Sequence, residues 1–150
     1  MNRQAILDAI PHRDPFLLVD TVVGQTETRI VGSKTFSGEE WFFAGHYPGS
    51  PLVPGVLLCE AAMQCGAILL SSLFAEKGPG TGVPVATRMT DVRFKRMVRP
   101  GEKIVMEVEL MERLANAFFL KAKVTVEGRV AVRFEFACTA ANPESSGSNP

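Results

Sequence analysis

Hydrophobic and polar positions divide the chain into a turn-rich first half around one very apolar helix and a second half of alternating residues. Residues 1–10 place Ile6, Leu7 and Ile10 at helical spacing, and Pro11 ends the run, which predicts a short amphipathic helix. A nearly continuous apolar run through Leu17, Leu18 and Val19 predicts a strand over 16–23, and a second strand fits 29–36. The stretch from Gly45 to Gly55 is too dense in Pro and Gly for regular structure. It delivers the chain into a long helix over about 55–76.

After a connection containing Gly78, Gly80 and Gly82, the period changes from 3.6 to 2. Ile104, Met106, Val108 and Leu110 alternate with Lys103, Val105, Glu107 and Glu109, and Leu120, Ala122, Val124 and Val126 with Lys121, Lys123, Thr125 and Glu127. Val130, Val132, Phe134, Phe136 and Cys138 repeat the pattern against Ala131, Arg133, Glu135, Ala137 and Thr139. These are half-buried antiparallel strands, with Pro100-Gly101 and Gly128 as turn residues. The long helix alone is apolar enough to cover the sheet's inner face, so the expected class is α+β, a curved antiparallel sheet wrapped around one helix. Residues 1–141 read as one domain and 142–150, without apolar content, as a disordered tail.

Composition narrows the function classes. A chain of 150 residues has the length of one domain, which buries about 70% of its unfolded surface. Sixteen basic residues balance sixteen acidic ones, so bulk nucleic-acid affinity is not expected and an electrostatic partner must meet a local patch. Cys59, Cys65 and Cys138 lack CxxC spacing and read as core thiols in a reducing, cytoplasmic compartment. The N-terminus carries Asp8 and has no apolar core before Pro11, unlike a signal peptide. Residues 56–74 are long enough to span a bilayer, but Glu60, Gln64, Gly66, Ser71 and Ser72 interrupt them, so a buried core helix is expected.

Candidate chemistry lies on that helix and the loop before it. Between Val56 and Leu70 the apolar positions cover nearly the whole circumference, and Glu60 is the sole charge. Its neighbours at i±3 and i±4 are Val56, Leu57, Met63 and Gln64, so the helix offers no basic partner. An ionised carboxylate left dry and unpaired costs several kcal/mol and tends to keep its proton, the condition of a general acid. Alternatively, Glu60 lies on a narrow wet stripe or pairs with a basic residue of the sheet. His12, in Pro-His-Arg-Asp-Pro-Phe, reads as a structural residue. His46 sits in the Pro/Gly loop fourteen residues before Glu60. Pro54 at the first helical position followed by Gly55 would leave backbone N–H groups open at a positive dipole end, able to hold an oxyanion. A base, an acid and an oxyanion site together suit proton abstraction beside a carbonyl followed by loss of a β-substituent.

Over residues 8–140 the chain resembles the 3-hydroxyacyl-ACP (acyl carrier protein) dehydratases of bacterial fatty-acid synthesis, which have the hotdog fold. The resemblance is carried by Gly45-His46-Tyr47-Pro48-Gly49-Ser50-Pro51-Leu52-Val53-Pro54-Gly55-Val56 and Glu60-Ala61-Ala62-Met63-Gln64. Residues 11–20 (PHRDPFLLVD) and Val92-Arg93-Phe94-Lys95-Arg96 before Pro100-Gly101-Glu102 add to it. It implies that His46 removes the C2 proton, that Glu60 protonates the departing C3 hydroxyl, and that the Gly55 N–H binds the thioester oxygen. It further implies that the Leu52 carbonyl orients His46, that Gln64 positions the acid, and that no metal or redox cofactor is needed. The resemblance also implies a homodimer with histidine and acid from different subunits, or a hexamer built as a trimer of such dimers. The glutamate points to the plain dehydratase branch. The chain departs from the family pattern in the exchanged Ala62 and Met63, in Tyr47, in Met97, and over Val85-Ala86-Thr87-Arg88-Met89-Thr90, where aromatics, a glycine and an aspartate commonly line the acyl tunnel.

Residues 88–103 hold six basic residues against Asp91 and Glu102, and Arg93, Lys95, Arg96 and Arg99 form the expected docking patch for an acidic carrier protein. Two other readings fit a hotdog chain: a thioesterase that directs water at the thioester carbon, and a non-catalytic subunit that binds acyl carriers.

Overall fold

A computed structural model describes residues 1–76, 78 and 82–142. Helix α1 (Arg3–Ala9) is followed by strands β1 (Thr21–Gln25) and β2 (Arg29–Thr35), a 3₁₀ turn at Phe43–Gly45 and the long helix α2 (Gly55–Ala75). Strands β3 (Val83–Phe94), β4 (Lys103–Leu114), β5 (Ala117–Val126) and β6 (Arg129–Ala141) complete the order. All six strands join one sheet in the order β1-β2-β4-β5-β6-β3, every pair antiparallel. This is the hotdog arrangement expected from the sequence, with α2 as the filling.

Period-2 alternation sets which face meets α2. Ile104, Met106 and Val108, Leu120, Ala122, Val124 and Val126, and Phe134, Phe136 and Cys138 are all buried. Lys121, Lys123, Arg133 and Glu135 stay outside. Glycine lets the helix sit close: a Cβ on Gly32 would lie 2.5 Å from Cys65 Sγ, and one on Gly66 would lie 2.8 Å from Phe136 Cζ. The β5–β6 hairpin turns through Glu127 and Gly128 with φ of 50° and 78°, the two positive values that a two-residue type I′ loop requires. Ala131, expected on the outer face, is buried because the Lys95 and Arg96 N–H groups bond its carbonyl as that segment crosses over.

Two expectations need correction. The apolar run 17–19 is buried but not extended into a strand; β1 begins at Thr21. Its backbone is satisfied otherwise: Leu18 N–H donates to Gln64 Oε1 at 2.7 Å and Asp20 N–H to the Ser33 carbonyl at 2.8 Å. Burial was readable from the run, whereas conformation depended on a helix side chain 46 residues away. Pro54 is the N-cap of α2 rather than its first residue, and Gly55 opens the helix.

Helix α2 is long and apolar enough to cross a membrane, but most of it is buried beneath the sheet. The three cysteines are free and buried. Burial pushes the Cys59 and Cys138 thiols up to about 11 and the Cys65 thiol up to about 12, so all three are neutral core groups. Of the expected tail only Asn142 is described; residues 143–150 and Gly80 lie outside the described residues.

The sheet's two edges differ. Strand β1 is short and irregular, and the N-terminal ammonium bonds its Val22 carbonyl at 3.1 Å. Strand β3 is twelve residues long and exposes Met89, Val92 and Phe94. Such a long apolar edge is the kind that another chain covers.

Candidate functional site

The histidine loop is anchored at both ends. Upstream, the buried Phe36, Phe42 and Phe43 rings pack edge to face or tilted against one another, and the His46 N–H closes onto the Phe43 carbonyl at 3.3 Å. Tyr47 then adopts a φ of 50°, and Ser50 N–H bonds the Tyr47 carbonyl at 2.9 Å, reversing the chain. Downstream, buried Val53 donates its N–H to the Val98 carbonyl at 2.8 Å. Between these anchors His46 Nδ1 lies 3.1 Å from the Leu52 carbonyl oxygen. A carbonyl only accepts, so Nδ1 carries the hydrogen and Nε2 is left with its lone pair in the neutral ring.

His46 opens onto a cavity of about 400 Å³ whose lining includes Leu52, Gly55, Phe94, Arg96 and Met97. The Phe94 ring lies against Gly55, where a Cβ would come within 2.6 Å of Cε1. Leu57 and Leu58 N–H groups bond the Pro54 carbonyl, and no side chain caps the helix, so the Gly55 and Val56 N–H groups face this end unclaimed by a cap. The cavity is apolar but for the His46 ring, the backbone and Arg96 at its rim. Val56, Phe94 and Met97 are each more than half exposed around it.

Glu60 belongs to a different corner. It does not line the His46 cavity and instead faces the turn after α1. The picture of a dry, unpaired carboxylate is corrected here: Glu60 is half-buried, accepts a hydrogen bond from Gln64 Nε2 at 3.2 Å, and has His12 Nε2 at 3.7 Å from the same oxygen, Oε1. The partner comes from the N-terminal segment, not from the helix or the sheet. Gln64 is fully engaged: Oε1 takes the Leu18 N–H, and Nε2 donates to the Phe16 carbonyl at 2.8 Å as well as to Glu60. That fixes its amide orientation and ties the carboxylate to the loop that follows His12.

His12, read from sequence as a structural residue, is the side chain that the structure brings to Glu60. Pro11 and Pro15 bracket it, and the Arg13 guanidinium bonds the Leu7, Ile10 and His12 carbonyls, holding the turn. Burial holds the His12 imidazole below its ordinary range; the Glu60 carboxylate works against that, and Arg13 reinforces it. Two polar residues one turn apart in an apolar helix, Glu60 and Gln64, were the available signal that a polar segment packs there.

Of the expected docking residues, Arg93 pairs with Asp91 at 2.9 Å and Arg99 reaches Ser50 Oγ at 3.1 Å, tying it to the histidine loop. Lys95 and Arg96 have no ion pair among the described residues, and Arg96 borders the His46 cavity. Arg88 lies on the exposed part of β3, opposite Ala137.

Fold and site define a hotdog α+β protein with a loop histidine at the N-terminus of its central helix and a carboxylate one turn further along. A family model described as a FabA-like domain matches residues 10–135, and the chain belongs to that family. Over 135 residues it is 40% identical to the 3-hydroxyacyl-[acyl-carrier-protein] dehydratase FabZ of Petrotoga mobilis, covering 90% of this chain and 94% of the relative. The enzyme of the same description from Clostridium perfringens is 42% identical over 131 residues, covering 87% and 92%. Among solved structures, the dehydratase heterocomplex ApeI:P of Xenorhabdus doucetiae superposes with a TM-score of 0.78 at 15% identity, covering 92% of this chain and 91% of its own. A hypothetical thioesterase with coenzyme A from Streptococcus pneumoniae superposes at 0.62 with 10% identity, covering 83% and 90%. At such identities these two share the fold alone.

Proposed function

We propose that the protein catalyses the reversible dehydration of 3-hydroxyacyl thioesters carried on acyl carrier protein to trans-2-enoyl thioesters, in fatty-acid or related lipid and polyketide synthesis. Membership of the FabA-like family and 36–44% identity to relatives described as dehydratases support the reaction. The observation that carries the mechanism is the 3.1 Å contact between His46 Nδ1 and the Leu52 carbonyl, which leaves Nε2 as a base facing an apolar cavity.

In this reading His46 Nε2 takes the C2 proton, and the electron pair moves onto the thioester oxygen, which the Gly55 N–H stabilises at the helix N-terminus. As the enolate collapses, the C2–C3 double bond forms and the C3–O bond breaks. Glu60, in its protonated form, gives its proton to the departing hydroxyl, which leaves as water. The proton held by His46 returns to Glu60 through solvent, and running the steps backwards hydrates the enoyl group.

His46 and Glu60 occupy separate corners of one chain, so the site is completed between His46 of one subunit and Glu60 of another. The open β3 edge and the exposed Val56, Phe94 and Met97 around the His46 cavity supply the apolar surface for a homodimer. Arg96, which lines the cavity, and its neighbour Lys95, both outside ion pairs among the described residues, offer the docking charge for an acidic carrier protein, with Arg93 and Arg99 flanking them; the compartment is the cytoplasm.

Purified protein given a 3-hydroxyacyl thioester should develop enoyl absorbance without releasing free thiol, and given the enoyl thioester should consume it. Thiol release without enoyl change would make it a thioesterase, and silence in both channels would make it a non-catalytic subunit.

A further inference from the structure

His12 is used by neither the fold's core nor the proposed proton transfers, yet its ring stands against the Glu60 carboxyl. Nε2 is 3.7 Å from Glu60 Oε1, beyond a hydrogen bond but within electrostatic reach. Nδ1 is buried, and no group among the described residues hydrogen-bonds it. The Phe16 ring stacks on the imidazole with centroids 6.5 Å apart. The charged groups facing the ring are Glu60 from α2 and Arg13 from its own turn.

These constraints select one form of the imidazole. A doubly protonated ring would bury a second N–H with no acceptor, and burial accordingly holds the ring toward its neutral form. Of the two neutral tautomers, the one with hydrogen on Nδ1 would orphan that donor and set the Nε2 lone pair against the lone pairs of Oε1. Hydrogen on Nε2 avoids both penalties. His12 is thus a neutral Nε2–H donor aimed at Glu60 Oε1.

Oε1 then accepts the Gln64 Nε2–H at 3.2 Å and has the His12 Nε2–H facing it at 3.7 Å, whereas no described residue bonds Oε2. An oxygen that already accepts one N–H and faces the positive end of a second is a poor place for a carboxylic proton. We propose that His12 is a positioning residue that, with Gln64, keeps Glu60 Oε1 occupied and directs the proton of the carboxylic acid to Oε2, where the departing hydroxyl can take it. This rests on the reading of Glu60 as the acid.

Two measurements test it. The chain has only two histidines, so ring ¹⁵N resonances of the labelled protein are assigned by the loss of one set in His46→Ala. His12 should show hydrogen on Nε2 and His46 hydrogen on Nδ1; a His12 ring with hydrogen on Nδ1, or doubly protonated at pH 7.5, overturns the proposal. In His12→Phe, which keeps the stacked ring and loses the donor, kcat should fall about tenfold with KM within about threefold. The alkaline limb of its kcat profile should move to higher pH, because a donor favouring the ionised carboxyl is gone. His12→Gln, which restores an N–H, should recover most of the rate. A folded His12→Phe with unchanged kcat and unchanged limb overturns the proposal; if that variant does not fold, the tautomer measurement on the unaltered protein decides. Glu60→Gln separates the two levels: if it keeps full activity, the acid assignment itself fails, whereas an inactive Glu60→Gln beside an unaffected His12→Phe removes His12 alone.

Discussion

The two histidines stand in opposite settings. His46 is held by the Leu52 carbonyl, which commits the hydrogen to Nδ1 and bares Nε2 at an apolar cavity. His12 has a bare, buried Nδ1 and turns Nε2 toward a carboxylate. His46 thus carries a hydrogen on Nδ1, whereas the tautomer proposed for His12 carries it on Nε2. A backbone carbonyl faces one ring and a side-chain carboxylate the other, so the two imidazoles meet different demands from their surroundings.

The largest effect should come from removing the proposed base. His46→Ala should lower kcat by about 10²–10⁴ without changing Tm, since the ring's one hydrogen bond is local to its loop. A rate within tenfold of the parent would contradict the role given to the Leu52-locked ring.

Next, Gln64→Leu removes a buried amide that serves Leu18, Phe16 and Glu60 at once. It should cost about 2–4 kcal/mol through the orphaned backbone groups, and chemical denaturation should show the loss in its midpoint. The His12 corner depends on this amide, whereas the His46 loop does not. An unchanged midpoint would mean that the turn holds itself without α2.

Gly55→Ala probes the other corner. Its Cβ would meet the Phe94 ring at 2.6 Å, and that ring must turn aside within the proposed subunit contact, so Tm should fall by about 2–4 °C. Activity should fall about tenfold as the cavity roof shifts. A large fall in Tm with normal activity would reverse the account of that contact.

The smallest effect concerns pH and stability. His12 titrates below its ordinary value in the folded chain, so between the unfolded value of about 6.5 and the lower folded one the unfolded chain binds more protons. Folding therefore loses stability as pH falls through that window, and gains nothing from this group above it. His12→Gln should lack this component, so its Tm should decline less between pH 7 and 5 than the parent's. Parallel curves would place the imidazole in a more solvated setting.

Much of this was legible in the order of residues, for reasons that differ by region. In β4, β5 and β6 alternation is local and continuous, so face and class followed directly, and the bare run of α2 marked the one element able to fill the sheet. The His46 loop was legible because its prolines and glycines act on their own backbone. The strand expected over 16–23 failed because the Leu18 N–H finds Gln64 rather than a ladder, a partner 46 residues away. The approach of His12 to Glu60 was illegible for the same reason: the two are far apart in the chain, and no local pattern records that contact.

Subunit mixing tests the central claim most directly. His46→Ala and Glu60→Gln proteins, each inactive alone, are unfolded together, refolded as a mixture and assayed for enoyl hydration. If each site joins His46 of one subunit to Glu60 of its partner across a two-fold axis, every mixed dimer regains one intact site, and random pairing should restore about a quarter of the unaltered activity. Recovery near that level is the predicted result. A mixture as inactive as its components, with mixed dimers demonstrably formed, would contradict a site shared between subunits.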